Sequence, residues 1–367
     1  MRKLLLTTTA LIAASAISAA HADVSISGDM MFGYKSIDSG IATAAGLTES
    51  NDEFISEQNV KIVFSNKTDS GLNISMTSVM ESVGNAGVTA QDEAYFEISG
   101  GFGTLTLGSD DGAGDKLTVT AADFLGPFSN NDHGGNFMQK TTKTTRTNTL
   151  AAETTDNVLD DGTARGNLAD DNADLIADIN DANNITYMLP KMGGLSLGVS
   201  MMDAGAGKED NADIAVIAGK YEFESGAVKG SVHYANANAG GYKLGRSSTN
   251  SSSIGVKISS GPISAIVAKA ESDVANKLNT TIRNTEVTDY GLSYDVGNGL
   301  VLSAVGTAVT EDVGGESIDI TSVTAKYTIA SGLDAYVTYH DYDYKAGTSS
   351  ETSDDGSATL IGLKASF

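Results

Sequence analysis

The chain has 367 residues, with 47 acidic against 23 basic side chains and a formal net charge of −24 at pH 7. Such acidity argues against nucleic acid as a partner, because binding a phosphate backbone needs an excess of Lys and Arg. Cysteine is absent, which excludes a disulfide framework, thiol catalysis and Cys-ligated metal.

Residues 1–22 read as a secretory signal peptide. Arg2 and Lys3 open it, an apolar run follows from Leu4 to Ala20, and Ala20-His21-Ala22 forms an Ala-x-Ala cleavage site before Asp23. Residues 23–367 then form one domain. They contain no apolar run of 18 residues, so helical spans are excluded. Only 3 Pro stand beside 41 Gly, and the abundance of Thr, Ser, Val and Ile favours strands joined by tight turns. An acidic surface suits a cell exterior rich in divalent cations.

Alternation with a period of two picks out the strands in order. Val24 to Ile37 carries Val24, Ile26, Met30, Phe32 and Tyr34 on one face. Glu57 to Lys67 carries Val60, Ile62 and Phe64, then turns through Thr68-Asp69-Ser70-Gly71 into Leu72, Ile74 and Met76. Ala94, Phe96 and Ile98 precede the turn 100–103, and Leu105 and Leu107 follow it. Further hairpins turn at 190–194, 224–226, 259–262, 297–299 and 331–332, and join strands that run on to Tyr344. The last strand, Thr359 to Phe367, puts Ile361, Leu363, Ala365 and Phe367 on one face and Gly362, Lys364 and Ser366 on the other. One face suits lipid and the other water. Pairing this strand with the first closes a barrel.

The reading gives an all-β, 16-stranded antiparallel transmembrane β-barrel. Tight turns lie at one end and longer connections at the other, as in outer-membrane barrels. Two aromatic bands mark the lipid boundaries. Phe64, Phe102, Tyr187, Phe223, Tyr294, Tyr327 and Phe367 fall near the short turns; Phe32, Tyr34, Tyr234 and Tyr342 fall near the long loops.

The connection 110–181 is far longer than most loops, and such lengths are usually functional or disordered. Its first part mixes acids with apolar residues: Asp110, Asp111 and Asp115, then Asp123-Phe124-Leu125-Gly126-Pro127-Phe128. The apolar residues need burial, so this part is expected to fold inward against the barrel wall; the competing reading is a lid over the outer mouth.

Together these features resemble the Gram-negative general porin family, particularly its alphaproteobacterial type. Leu107-Gly108-Ser109-Asp110-Asp111-Gly112 resembles the end of that family's fifth strand. Gly126-Pro127-Phe128 resembles a degraded form of its acidic Pro-Glu-Phe-Gly-Gly loop tip, with the Glu missing. Asn184-Ile185-Thr186-Tyr187, Pro190 and Gly193-Gly194-Leu195 resemble its sixth-to-seventh strand hairpin. The resemblance implies a homotrimer of water-filled channels, each narrowed by the third loop, set in outer-membrane lipid and lipopolysaccharide. It also implies delivery by the barrel-assembly machinery, with Phe367 as the C-terminal signal.

On that plan Lys35, Lys61, Lys229, Lys257, Lys326 and Lys364 face the lumen, because each is flanked by outward apolar residues and a charge facing lipid at midplane costs about 2–4 kcal/mol. Asp110, Asp111, Asp115 and Asp123 form the acidic side of the constriction, opposite Lys35, Lys61, Lys326 and Lys364 on the basic wall. Acids facing bases set up a transverse field that orients polar solutes. The expected function is passive, cation-preferring diffusion of ions and small hydrophilic solutes. A solute-selective porin is one alternative; a surface barrel that serves as a structural or partner-binding protein is another.

Two further signals are weaker. Asp170, Asn172 and Asp174 match three positions of a calcium-binding loop, but Leu175 stands at the Gly position and Asp181 replaces the bidentate Glu. A solvated acidic loop is the favoured reading, with calcium as the alternative. Beyond the leader, His133, His233 and His340 show no metal-ligand spacing, and there is no Gly-x-Ser-x-Gly elbow. Catalysis therefore has little support.

Overall fold

A computed structural model describes residues 23–39, 50–83, 90–129, 183–202, 213–240, 248–275, 281–312, 315–345 and 354–367. The proposed leader, 1–22, and Asp170, Asn172, Asp174, Asp181 and His133 lie outside the described residues.

Sixteen strands close into one barrel: β1 (Asp23–Ser39), β2 (Ser50–Lys67), β3 (Asn73–Val83), β4 (Ala90–Gly100), β5 (Gly103–Ser109), β6 (Asn183–Met188), β7 (Leu195–Met202), β8 (Asp213–Ser225), β9 (Val228–Gly240), β10 (Ser248–Ser260), β11 (Ile263–Ala275), β12 (Thr281–Gly297), β13 (Leu300–Glu311), β14 (Ser317–Ala330), β15 (Leu333–Lys345) and β16 (Asp354–Ser366). Each pairs antiparallel with its sequence neighbours. β1 closes on β16 in a register running from Asp29 opposite Ser366 to Ser39 opposite Gly356. Two backbone bonds finish the seam, from Phe367 N to Gly28 O at 2.8 Å and from Gly28 N to Phe367 O at 3.3 Å. Closure leaves no sheet edge, so every strand finds its hydrogen bonds within the wall, as a chain in hydrocarbon must. In the β12–β13 turn Gly297, Asn298 and Gly299 all take positive φ, of 90°, 54° and 84°. Gly and Asn tolerate that region best.

The outer face is apolar through the middle of the barrel. Val267, Leu292, Val323, Val337 and Ile361 are exposed there. Bands of aromatics border it. Phe64, Phe102, Tyr294, Tyr327 and Phe367 are exposed near the short turns, and Phe32, Tyr34 and Tyr234 near the loops. Tyr342 departs from expectation. It is 1% exposed and faces inward, while Tyr339 and Tyr290 take places on the outer band. The lipid-or-water division fails locally for the same reason. On β11 to β16 and β1 the inward face near the loop end is also apolar, and Ile318, Ile320, Tyr342, Tyr344 and Leu360 pack there with Phe128.

Phe128 ends an inner segment that leaves the wall after β5. The segment forms helix α1 (Ala113–Leu117) and two 3-10 turns, Ala121–Phe124 and Gly126–Phe128. It packs on β6 to β9 through α1 and on β11 to β13 through the first 3-10 turn. Phe128 meets Tyr336 of β15, and its ring lies over the paired glycines Gly33 and Gly362 of β1 and β16. A segment this short touches strands so far around a closed barrel only from inside.

Candidate functional site: the channel interior

The inner segment is held by its backbone, and the wall supplies the side chains. Asn184 Nδ2 donates to the Asp110 carbonyl. Ala113 N donates to Ser200 Oγ at 2.6 Å, Val119 N to His233 Nδ1 at 3.2 Å, and Ala121 N to Asp289 Oδ2 at 3.1 Å. His340 Nε2 donates to the Phe128 carbonyl at 3.0 Å. These bonds set the tautomers. His233 accepts at Nδ1, so Nε2 carries the proton towards Ser253 Oγ at 3.0 Å; His340 donates from Nε2, so Nδ1 accepts from Ser322 Oγ at 2.7 Å. Ser200, His233, Asp289 and His340 are all buried. The two histidines, which show no metal-ligand spacing in the sequence, are anchors of the inner segment.

Apolar packing completes the attachment. Ala113 and Leu117 sit among Met202, Ile214, Val216, Ala218, Ala235 and Ala237, and Ala121 and Leu125 sit against Ile266 and Val305. Inward glycines mark where the segment lies. A Cβ on Gly362 would stand 2.6 Å from Phe128 Cζ, one on Gly291 2.9 Å from Phe124 Cδ2, and one on Gly198 2.9 Å from Ala113 Cβ. These are closer than atoms pack, so side-chain-free wall is what lets the segment lie flat.

The acids expected on the inner segment are divided by this arrangement. Asp110 is 6% exposed and its carboxylate takes an ion pair with Lys116 of the same segment, so its charge is offset locally, and among the described residues it pairs with no base of the wall. Asp111 and Asp115 are half-buried. Asp123 is exposed and lies near Lys257 of β10, Nζ to Oδ2 4.0 Å, with the same ammonium 5.1 Å from the Phe124 ring centroid. That pairing joins the segment to the wall on which it lies.

The predicted wall lysines all point inward by strand parity, with different surroundings. Lys35 is 4% exposed and pairs in register with Leu360, beside the apolar cluster at the loop end. It therefore does not line water, a correction to its expected place on the basic wall. Lys61 of β2 lies 3.5 Å from Tyr95 OH. Lys326 bonds Asp334 at 3.0 Å and Lys364 bonds Asp29 at 3.3 Å, so both are answered by acids of the wall itself. The inner segment's main contacts leave out β2, β3 and β4, whose inward faces carry Lys61, Tyr95, Glu57, Glu81 and Glu97, all half-exposed. Lys116, Lys220, Asn184, Ser200 and Asp289 were missed from sequence. Lys220 alternates with outward Tyr221 and could have been found by parity; the anchors are joined to their partners over long sequence separations and could not.

A closed barrel with an apolar, aromatic-bordered outside, and with a segment attached inside, is a transmembrane β-barrel of the channel-forming class. Comparison with known proteins makes this specific. Residues 7–347 match the family model described as Gram-negative porin, and the chain belongs to that family. It is thus a porin of the outer membrane. Among solved structures it is similar to the anion-selective porin from Comamonas acidovorans, at 14% identity and TM-score 0.63, over 95% of this chain and 100% of that one. A triple mutant of the Rhodopseudomonas blastica porin matches at 15% and 0.61, over 94% and 100%. A loop-deletion mutant of OmpT, an outer membrane protein of Vibrio cholerae, matches at 12% and 0.61, over 94% and 99%. At these identities the likeness concerns the fold. A search of curated proteins returned no match.

Proposed function

We propose that this porin is a passive, general diffusion channel for ions and small hydrophilic solutes, with a preference for cations. The observation that carries the reading is the one-sided attachment of residues 110–129. Their backbone is tied to β6–β9, β11–β13 and β15, so the segment's main contacts leave the inward faces of β2 to β4 to the lumen. Acids are prominent among the groups there: Glu57, Glu81 and Glu97 on the inward face of that wall, with the exposed Asp123 on the segment. Fixed negative charge in a narrow aqueous passage concentrates cations and excludes anions. Lys326 and Lys364, being paired with Asp334 and Asp29, oppose this less than their number suggests.

The working unit in this reading is a homotrimer in lipid and lipopolysaccharide, delivered by the barrel-assembly machinery with Phe367 at the recognised end. The reading is tested by swelling of liposomes that contain the refolded protein, in neutral sugars of increasing size. Rates that fall smoothly with solute size support general diffusion. One sugar entering far faster than smaller ones would favour a solute-selective porin. No swelling from a folded, inserted barrel would favour a surface protein.

A further inference from the structure

We propose that the porin carries a binding subsite for small, doubly charged anions, phosphate and phosphate esters in chemical class, on the inner wall at the short-turn end beneath the inner segment. A recess of about 580 Å³ lies there between Val119 of the segment, the β6–β7 turn, and strands β8, β9 and β10. Lys191, Lys220, Lys229 and Lys257 line it, against the two carboxylates Glu222 and Glu224. The inference rests on the lumen being open to solutes, and deepens that reading by naming a class that pauses on the way.

Register explains why the lysines converge. Strand side chains two apart share a face, and cross-strand partners stand about 5 Å apart. On the inward face of β8, β9 and β10, Lys220 stands opposite His233, Glu222 opposite Ser231, and Glu224 opposite Lys229; Ser231 in turn stands opposite Lys257, and Lys229 opposite Ser259. Ser231 is thus central, with Lys220, Lys229 and Lys257 on neighbouring positions around it. Lys191 reaches in from the turn.

The acids present do not saturate these charges. Lys191 pairs closely with Glu222. Lys229 and Glu224 are 3.9 Å apart, and Lys257 and Asp123 4.0 Å, separations at which an ammonium keeps donors to spare. No ion pair involves Lys220 among the described residues. Ser231 and Ser259 add hydroxyl donors.

The donor set also limits selectivity. Arg is absent from the lining, so no planar fork favours a carboxylate; ammonium groups act as point charges and respond to total charge. The recess should therefore hold a dianion over a monoanion, and its volume falls in the range that accommodates a small organic ligand. A basic recess within a lumen of acidic character gives anions a local stop without making the whole channel anion-selective.

The test uses refolded protein in a planar bilayer with about 0.1 M KCl, where screening still leaves a Debye length of about 10 Å. Potassium phosphate at neutral pH is titrated in on both sides. The proposal predicts a saturable reduction of the KCl current by phosphate, with acetate much weaker. In Lys220→Gln/Lys229→Gln, compared with its own phosphate-free current, the half-effective concentration should rise about tenfold or more. One unit charge at contact distance in water accounts for about fivefold. A current that follows bulk conductivity without saturation, or an unchanged half-effective concentration in the double variant, would overturn the subsite. Should folded protein pass no current, the diffusion reading fails, and calorimetric titration of the detergent-solubilised protein with inorganic phosphate decides the subsite separately: heat that saturates in wild type and is lost in the variant supports it, and its absence in wild type refutes it.

Discussion

Replacing Phe128 by Ala tests how the inner segment is held. The ring is fully buried, stands edge-on to Tyr336 at 5.9 Å and 87°, and fills the hollow over Gly33 and Gly362. Truncating a buried Phe costs about 3–5 kcal/mol. Because the barrel is closed by its own strand pairing, that cost falls on docking of the segment's end. At about 1.4 kcal/mol per tenfold, the undocked population rises between a hundredfold and a few thousandfold. The bonds from Val119 to His233 and from Ala121 to Asp289 remain, so the change should stay near residues 125–129. Hydrogen exchange reads it directly. The amides of Leu125, bonded to the Ala122 carbonyl at 2.8 Å, and Ser129, bonded to Gly126 at 3.0 Å, should lose protection by about a hundredfold or more, while Ala121 changes much less. Single-channel recordings should show added open-state noise. Unchanged protection at Leu125 and Ser129 would refute the view that Phe128 fastens the segment.

Other substitutions separate the parts of this account. Asp289→Leu removes the acceptor for Ala121 N and should weaken docking of the middle of the segment by about 1.5–3 kcal/mol, seen as lost exchange protection at Ala121 with strand amides unaffected. Leu292→Lys places a charge on the lipid face and should cost about 2–4 kcal/mol in denaturant unfolding from lipid vesicles; Ser293→Lys, one residue on and facing inward, should cost under about 1 kcal/mol. Lys191→Gln breaks an exposed ion pair and should change unfolding by less than about 1 kcal/mol. Deleting Phe367 removes the bond to Gly28 O that finishes the β1–β16 seam, and should lower the folded fraction scored by resistance to unfolding in detergent on gels.

The barrel was legible because lipid imposes alternation. Ile361, Leu363 and Ala365 point outward beside inward Gly362 and Lys364, and the same logic gives sixteen strands and the end at which each hairpin turns. It fails where lipid stops. β12 begins at Thr281, whereas the apolar pattern starts only at Tyr290, because Asn284 and Glu286 lie beyond the apolar band. Tyr342 shows the complementary failure: aromatic residues were assigned outward, but beside Ile320 and Leu360 an inward Tyr has apolar partners too. Parity puts Lys35 on the inward face, yet parity carries no information on what covers it. The attachment of the inner segment was least legible. Apolar residues in 117–128 implied burial, whereas Ser200, His233, Asp289 and His340 gave no local sign that they bind backbone far away in sequence.

The most direct test of the central claim is the reversal potential of the refolded protein in a planar bilayer under a KCl gradient, recorded with single-channel conductance. Stepwise, ohmic currents with a reversal potential of cation-preferring sign are predicted, and Asp123→Asn should shift it towards zero. A folded, inserted barrel that passes no current would contradict the diffusion channel. Anion-preferring sign in wild type would contradict the assignment of selectivity to the lumen acids.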